Sequence, residues 1–331
     1  MSQTLAESQF AAALRAADDP GTSPEERAEM LMEIAMSLQV KPRSPQQLRD
    51  AAALYEKALQ AAPEAARLLR ARIRARMGTA LQALPDGGAE ALQEARGCYQ
   101  QALAVLETQG RAEEVAEIQM NLGLTLQALT NLGQARIQEA IQCYHRALRV
   151  FDCESHPQEF AILHNNLAIA YLSIPTSDER ARMREALAVQ SFEEVLKVVT
   201  LVEHPSEYAM IQNNLGNALQ YASSSHALEN NLRALAAYDE ALKVRNAHDT
   251  PVEYANTIAN KANVLRHLPA DVEAGNGADP RCLALALYQE ARTLFDQHDL
   301  ADRAAIVAEA IAEIEDALKS RRAKGNGEVV Q

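Results

Sequence analysis

A six-residue pattern returns six times along the chain at nearly constant spacing, and self-similarity of that kind leaves few folds open. In the clear copies an aromatic residue is followed by a small residue three positions on and then by Leu. These are LYEKAL at Tyr55, CYQQAL at Tyr99, CYHRAL at Tyr144 and AYDEAL at Tyr238, with weaker copies SFEEVL at Phe192 and LYQEAR at Tyr288. The aromatic recurs after 44, 45, 48, 46 and 50 residues. A second pattern lies between these copies: RMGTAL, MNLGLTL, NNLAIAY, NNLGNAL and a worn ANKANVL. It is marked by Gly78, Gly123, Ala168, Gly216 and Ala262, with Ala35 in the first copy. Each marked residue precedes its aromatic by 20 to 26 residues, so every unit holds two segments.

Both segments carry the period of a helix. Leu215, Gly216 and Leu219 stand at i, i+1 and i+4, and Tyr238, Ala241 and Leu242 at i, i+3 and i+4. A small residue lets two helix axes approach, and the aromatic fills the space between them. Breakers fall between the motifs: Pro20-Gly21, Pro42 and Pro45, Pro85 to Gly88, Pro157, Pro175, Pro205, Pro251, and Pro269 to Pro280. The chain has no Trp and only 4% aromatics, while Ala and Leu dominate, a composition that favours helices over strands. The reading is an all-α chain of helical hairpins.

At this point the residues resemble the tetratricopeptide repeat (TPR) family. NNLGNAL followed by AYDEAL is similar to its helix A and helix B signatures. The segments SHPQEFAILHNNLA, EHPSEYAMIQNNLG and DTPVEYANTIANKA resemble the longer repeats of kinesin light chains and related bacterial proteins. The resemblance implies a right-handed α-α superhelix, a solenoid of six helical-hairpin repeats with N- and C-terminal capping helices. The repeats fall at about 24–62, 64–107, 111–152, 157–201, 205–247 and 251–298. An Ala-rich helix is expected within 1–20 and a capping helix at 299–322, with Ile306, Ala310, Ile311, Ile314 and Leu318 on its apolar side. The tail 323–331 is expected to be disordered. Two departures stand out. The units exceed the usual ~34 residues, with the extra length expected as short loops plus added turns at the start of helix B. Lys261 also stands where the other copies have Leu.

Composition narrows the function. Asp plus Glu number 45 against 32 Lys plus Arg, a formal charge of −13, which argues against binding a phosphate backbone. No apolar stretch approaches the ~18 residues of a membrane span, and the first 20 residues carry no secretory pattern. Cys98, Cys143, Cys153 and Cys282 lack CxxC spacing and read as reduced thiols of a cytoplasmic protein. Cys98 and Cys143 directly precede repeat aromatics, which points to packing. No two of the eight histidines sit at i, i+4, and His164 falls in a packing position. Phosphate loops, GxSxG and kinase motifs are absent from the sequence, so no catalytic residue, cofactor or metal is expected.

What remains is surface. In solenoids of the resembled type helix A lines the concave side, and the stripe opposite its packing residues faces the groove. That stripe holds Arg72, Ala75, Thr79 and Gln82 in the second repeat, Glu117, Met120, Leu124 and Gln127 in the third, and Ile162, Asn165, Ile169 and Leu172 in the fourth. It continues with Met210, Asn213, Asn217 and Gln220 in the fifth, and Asn256, Ala259, Asn263 and Arg266 in the sixth. Its centre is apolar and its C-terminal part a series of amides, which both donate and accept and so suit a peptide main chain. The resemblance implies that role above all for Asn213 and Asn217, expected to be exposed. The second Asn of each pair, Asn121, Asn166, Asn214 and Asn260, reads as an inter-repeat contact. Arg67, Arg70, Arg72, Arg74 and Arg76 form a basic cluster, for which pairing with Glu29, Glu33 and neighbouring acids is the favoured reading. The other reading makes Arg72 and Arg76 an anchor for a carboxylate or phosphate. The expected function is a protein-interaction scaffold: an adaptor, assembly chaperone or targeting factor holding a protein or peptide. The alternatives are a peptide-sensing regulator and a self-assembling solenoid. The chain's own tail or a second copy of the chain, forming a homo-oligomer, are the other occupants of the apolar centre.

Overall fold

The computed structural model describes residues 21–174, 179–222, 226–269 and 279–327, together with Arg15 and Asp19. Among the described residues there are thirteen helices and no strand. They are α1 (Pro24–Val40), α2 (Pro45–Ala61), α3 (Arg67–Gln82), α4 (Gly88–Gln109), α5 (Ala112–Asn131), α6 (Ile137–Ala147) and α7 (Pro157–Leu172). Then follow α8 (Glu179–Val195), α9 (Pro205–Tyr221), α10 (Ala227–Leu242), α11 (Pro251–His267), α12 (Pro280–Gln297) and α13 (Ala301–Gly327). Odd numbers up to α11 are the A helices and even numbers up to α12 the B helices. The helix expected within 1–20 lies outside the described residues, Arg15 and Asp19 excepted.

Proline sets where many helices begin. It occupies the first turn of α1, α2, α9, α11 and α12, where its missing N–H costs no hydrogen bond. Ser23 adds a capping box: its hydroxyl accepts from the Glu26 N–H, and the Glu26 carboxylate accepts from the Ser23 N–H at 3.0 Å. The added turns at the start of helix B are present in α8 and α10, which begin well before Phe192 and Tyr238. In the last hairpin α12 begins only at Pro280, and residues 270–278 before it lie outside the described ones.

The chain divides into two compact units, Met1–Asn166 and Leu167–Gln331. In the first, each helix from α1 to α6 packs on the next, and α3 also touches α1 and α5. In the second, α8 to α13 pack in the same serial way, with α9 touching α11. Leu31, Leu54, Tyr55 and Ile73 centre one apolar cluster in the first unit. In the second, Val307, Ala310, Ile311 and Ile314 of α13 join Ile258, Leu265, Tyr288 and Phe295.

Two expectations for α13 are corrected. Ile306 is exposed, and Val307 takes its place in the core. The buried stripe runs 307, 310, 311, 314, and a residue one position away is turned by about 100°. The helix also continues past 322 to Gly327, despite Gly325 and Asn326. Residues 328–331 lie outside the described ones.

Inside the hairpins the small residue and the aromatic meet as their spacing predicts. A Cβ added to Gly78 would lie 2.9 Å from Cε1 of Tyr99, and one added to Gly216 would lie 2.5 Å from Cε1 of Tyr238. Gly123 meets Tyr144 still more tightly. The aromatics Tyr55, Tyr99, Tyr144, Tyr238 and Phe192 are all fully buried. Lys261 also finds a place: its ammonium pairs with Asp239 of α10 while most of its stem is covered.

Replacing Gly216 by Leu should therefore push α9 off α10 and cost about 1–3 kcal/mol or more. A thermal melt unchanged within about 1 °C would remove Gly216 from the contact. Because serially packed repeats couple mainly to neighbours, hydrogen-exchange protection should fall around α9 and α10 and hold in α12 and α13.

Candidate functional site

The A-helix stripe is described in each unit separately. In the first, Met120 and Leu124 of α5 are half-buried and Ile162 of α7 is exposed. Asn165 is half-buried, its Oδ1 enclosed with no partner among the described residues. In the second, Ile169 and Leu172 of α7 remain 38% and 42% exposed and Met210 of α9 41%, followed by the open ring of Tyr221.

The amides have other work than expected. Asn213 is only 9% exposed and accepts from Nδ2 of Asn260 at 3.2 Å, joining α9 to α11. The expectation that it stands exposed is corrected: at that point α9 faces the next A helix, not solvent. Asn260 makes the inter-repeat contact read for it. Asn217 accepts from the hydroxyl of Tyr238 at 2.7 Å, and Asn263 accepts from that of Tyr288 at 3.3 Å. Asn256 accepts from Arg303 at 3.0 Å, and Arg266 pairs with Glu313 at 3.1 Å, both fastening α13 to α11.

The basic cluster resolves into single tasks. Arg70 donates twice, at 2.7 Å each, to the carbonyls of Leu59 and Ala62 at the end of α2, where the helix dipole favours a cation. Arg72 holds Glu114 through two bonds of 2.8 and 3.2 Å, and Arg76 holds Glu117 at 3.0 Å. Pairing is intramolecular as favoured, but the partners lie on α5 instead of being Glu29 and Glu33. Both arginine stems stand on the side of α3 that meets the following A helix. Hydrogen bonds from Arg72 and Arg111 hold the Glu114 carboxyl below its ordinary value, although burial pushes the other way.

The sequence places Gln82, Gln127 and Gln220 on the stripe, but their pairing with the buried tyrosines was not read from it. The glutamine four residues after the small residue takes the hydroxyl of the buried tyrosine: Gln39 with Tyr55 at 2.7 Å, Gln82 with Tyr99 at 2.9 Å, Gln127 with Tyr144 at 2.8 Å. In the second unit Tyr238 reaches Gln220 at 3.3 Å as well as Asn217. The signal was in the chain. Where the aromatic is Phe192, the corresponding position holds Leu172.

Chemistry beyond hydrogen bonding has few footholds. Among the described residues no group of three or more His, Cys, Asp or Glu is placed to hold a metal. Nor is any described helix long and apolar enough to cross a membrane. A cavity of about 450 Å³ in the second unit is lined by α8, α9 and α10, and one ion pair spans it, Arg233 with Glu193 at 2.5 Å. Burial pushes the Cys98 and Cys143 thiols up to about 11, whereas Cys153 and Cys282 are exposed.

Three outcomes follow. At pH 8 a thiol of pKa about 11 is roughly one part in a thousand thiolate, so a thiol reagent should modify Cys153 and Cys282 quickly and Cys98 and Cys143 only on unfolding. Four equally fast thiols would contradict the burial. Replacing Asn213 by Ala should lower stability by about 0.5–1.5 kcal/mol or more, because Asn260 loses its acceptor. Replacing Arg72 and Arg76 by Gln should cost about 1 kcal/mol or less per pair; a larger loss, read by denaturant melts, would mean these bridges hold α3 to α5.

No family model matches the chain, and no curated protein matches it. Solved structures do. The chain is similar to BtubC (BKLC) from P. vanneervenii, with 22% identity over 72% of this chain and 91% of that one, TM-score 0.49. It is similar to a Rap protein complexed with Competence and Sporulation Factor, with 11% identity over 89% and 82%, TM-score 0.39. It is also similar to the TPR2AB domain of yeast Sti1 in its pHSP90 complex, with 15% identity over 87% and 98%, TM-score 0.30. Within the chain itself, helical hairpins pack serially, each with an aromatic of helix B seated over a small residue of helix A, the arrangement that the sequence resemblance implies.

Proposed function

We propose that the protein is a non-catalytic interaction scaffold, an adaptor, assembly chaperone or targeting factor of the cytoplasm, that holds a peptide or protein segment on its A-helix faces. One observation carries the reading: large apolar side chains stay open on that stripe, at Ile169 and Leu172 of α7 and Met210 of α9. The ring of Tyr221 at the end of α9 is open as well, and the other exposed large apolar side chains among the described residues of the second unit are spread over α8, α10, α13 and a loop. Burying a Leu or Ile is worth about 1.5–3 kcal/mol relative to exposure, so a stripe left open favours whatever covers it. Asn217 beside it has its oxygen taken by Tyr238, so what it can offer a partner's backbone is its nitrogen, a donor.

The test is a double substitution, Ile169→Glu with Leu172→Glu, against Met183→Glu on α8, which is also exposed. Both proteins should melt within a few degrees of the parent, since neither change enters the core. A partner recovered with the parent from its source cells should be lost with the α7 variant, by about a hundredfold in affinity, and kept with Met183→Glu. Equal loss in both, or in neither, would move the binding surface elsewhere. A change in oligomeric state confined to the α7 variant would name a second copy of the chain as the occupant.

A further inference from the structure

We infer that the buried tyrosines are positioning residues that turn the A-helix face into an array of hydrogen-bond donors, selecting an extended stretch of neutral peptide main chain through its carbonyls. This deepens the proposed function and rests on it.

The array is built from one repeated pair. In the first unit the hydroxyls of Tyr55, Tyr99 and Tyr144 donate to the side-chain oxygens of Gln39, Gln82 and Gln127, at the same position of α1, α3 and α5. The rings are fully buried, burial keeps the hydroxyls protonated, and each has a glutamine oxygen within reach of its proton, with Thr79 a second partner for Tyr99. If the amide flipped, its nitrogen would meet the tyrosine oxygen and the buried hydroxyl proton would lose this acceptor, which favours the oxygen-inward orientation. The amide nitrogen then points away from the ring. None of the three nitrogens is enclosed, and none has a partner among the described residues. Phe192 supplies the internal control. A ring without a hydroxyl goes with Leu172, a side chain without an acceptor, while in the last hairpin Arg266 stands at that position and the Tyr288 hydroxyl goes to Asn263 instead.

Donors facing outward call for acceptors, and the surroundings decide which kind. On α3 the stripe that holds Gln82 also holds Arg72, and Arg76 lies beside it. Both arginines are already bonded to Glu114 and Glu117. The chain as a whole carries −13 charges. A phosphate or carboxylate therefore meets paired cations in a repulsive field, while a neutral carbonyl loses nothing by it. Spacing agrees. Packed helices lie about 8–10 Å apart, and carbonyls on one side of an extended chain recur about every 6.6–6.8 Å. Glutamine side chains are long enough to take up the difference.

The test separates the pair from the groove. The probe is the tightest dodecapeptide that the parent protein enriches from a random display library, resynthesised and measured by calorimetry. Gln82→Glu with Gln127→Glu keeps an acceptor for each tyrosine but removes the outward donors. Its melt should stay within a few degrees, and affinity should fall about tenfold or more. Tyr99→Phe with Tyr144→Phe keeps the rings and frees the amides. NMR order parameters of the Gln82 and Gln127 side-chain nitrogens should drop in the free protein, with a loss of affinity of about threefold or more. Unchanged affinity in the Glu variant would overturn the donor array while leaving peptide binding intact. Unchanged order parameters in the Phe variant would overturn the locking by tyrosine. Enrichment of no dodecapeptide would overturn the peptide reading on which both depend.

Discussion

The structure depends on one contact made over and over: an aromatic ring of helix B seated on a residue of helix A too small to keep it away. At Gly78, Gly123 and Gly216 the fit leaves no room for a Cβ, so hairpin geometry is set by steric exclusion as much as by attraction. The ring also carries a hydroxyl, which cannot be buried without a partner except at a cost of a few kcal/mol. The helix therefore has to supply an acceptor where the ring tip emerges. Gln39, Gln82, Gln127 and Gln220 are that acceptor, and their place on the outward stripe follows from the length of a tyrosine side chain.

Packing and recognition thus meet in the same residues. A side chain that satisfies the core from one end presents its other end to solvent, and the core dictates which end that is. The same economy holds for Asn217 and Asn263, each of which takes a tyrosine hydroxyl from its own hairpin. Asn213 differs, being spent on Asn260 of the next A helix. Position on one stripe of a helix therefore does not settle whether an amide is free. That is decided by how closely the following repeat approaches.

Charge follows a similar division. Five arginines in one stretch of sequence resemble an anion site, yet Arg70 caps a helix end and Arg72 and Arg76 bridge to the next A helix. Their partners lie about 40 residues away, one repeat further along. In a serially packed chain the residues one period away in sequence are the neighbours in space. Intramolecular pairing was legible from the acidic composition. The identity of Glu114 and Glu117 was not, because it depends on the stagger between α3 and α5.

The sequence by itself determined the helices, their pairing and the contact within each pair. Period, proline punctuation and the recurrence of a small residue ahead of an aromatic are local properties, and local hydrogen bonds and sterics suffice to realise them. It also placed Ile169, Leu172 and Met210 opposite the packing residues of their own helices, although their exposure depends on what packs beyond them. Only the tertiary structure decided the rest. Ile306 is exposed while Val307 is buried because the phase of α13 is fixed by docking on α12, and a stripe read from sequence can slip by one residue. The direction of each groove amide, and whether it has a hydrogen bond left to offer, depend on atoms brought from another helix. A one-dimensional pattern can place a side chain on a face, but it cannot say what stands opposite.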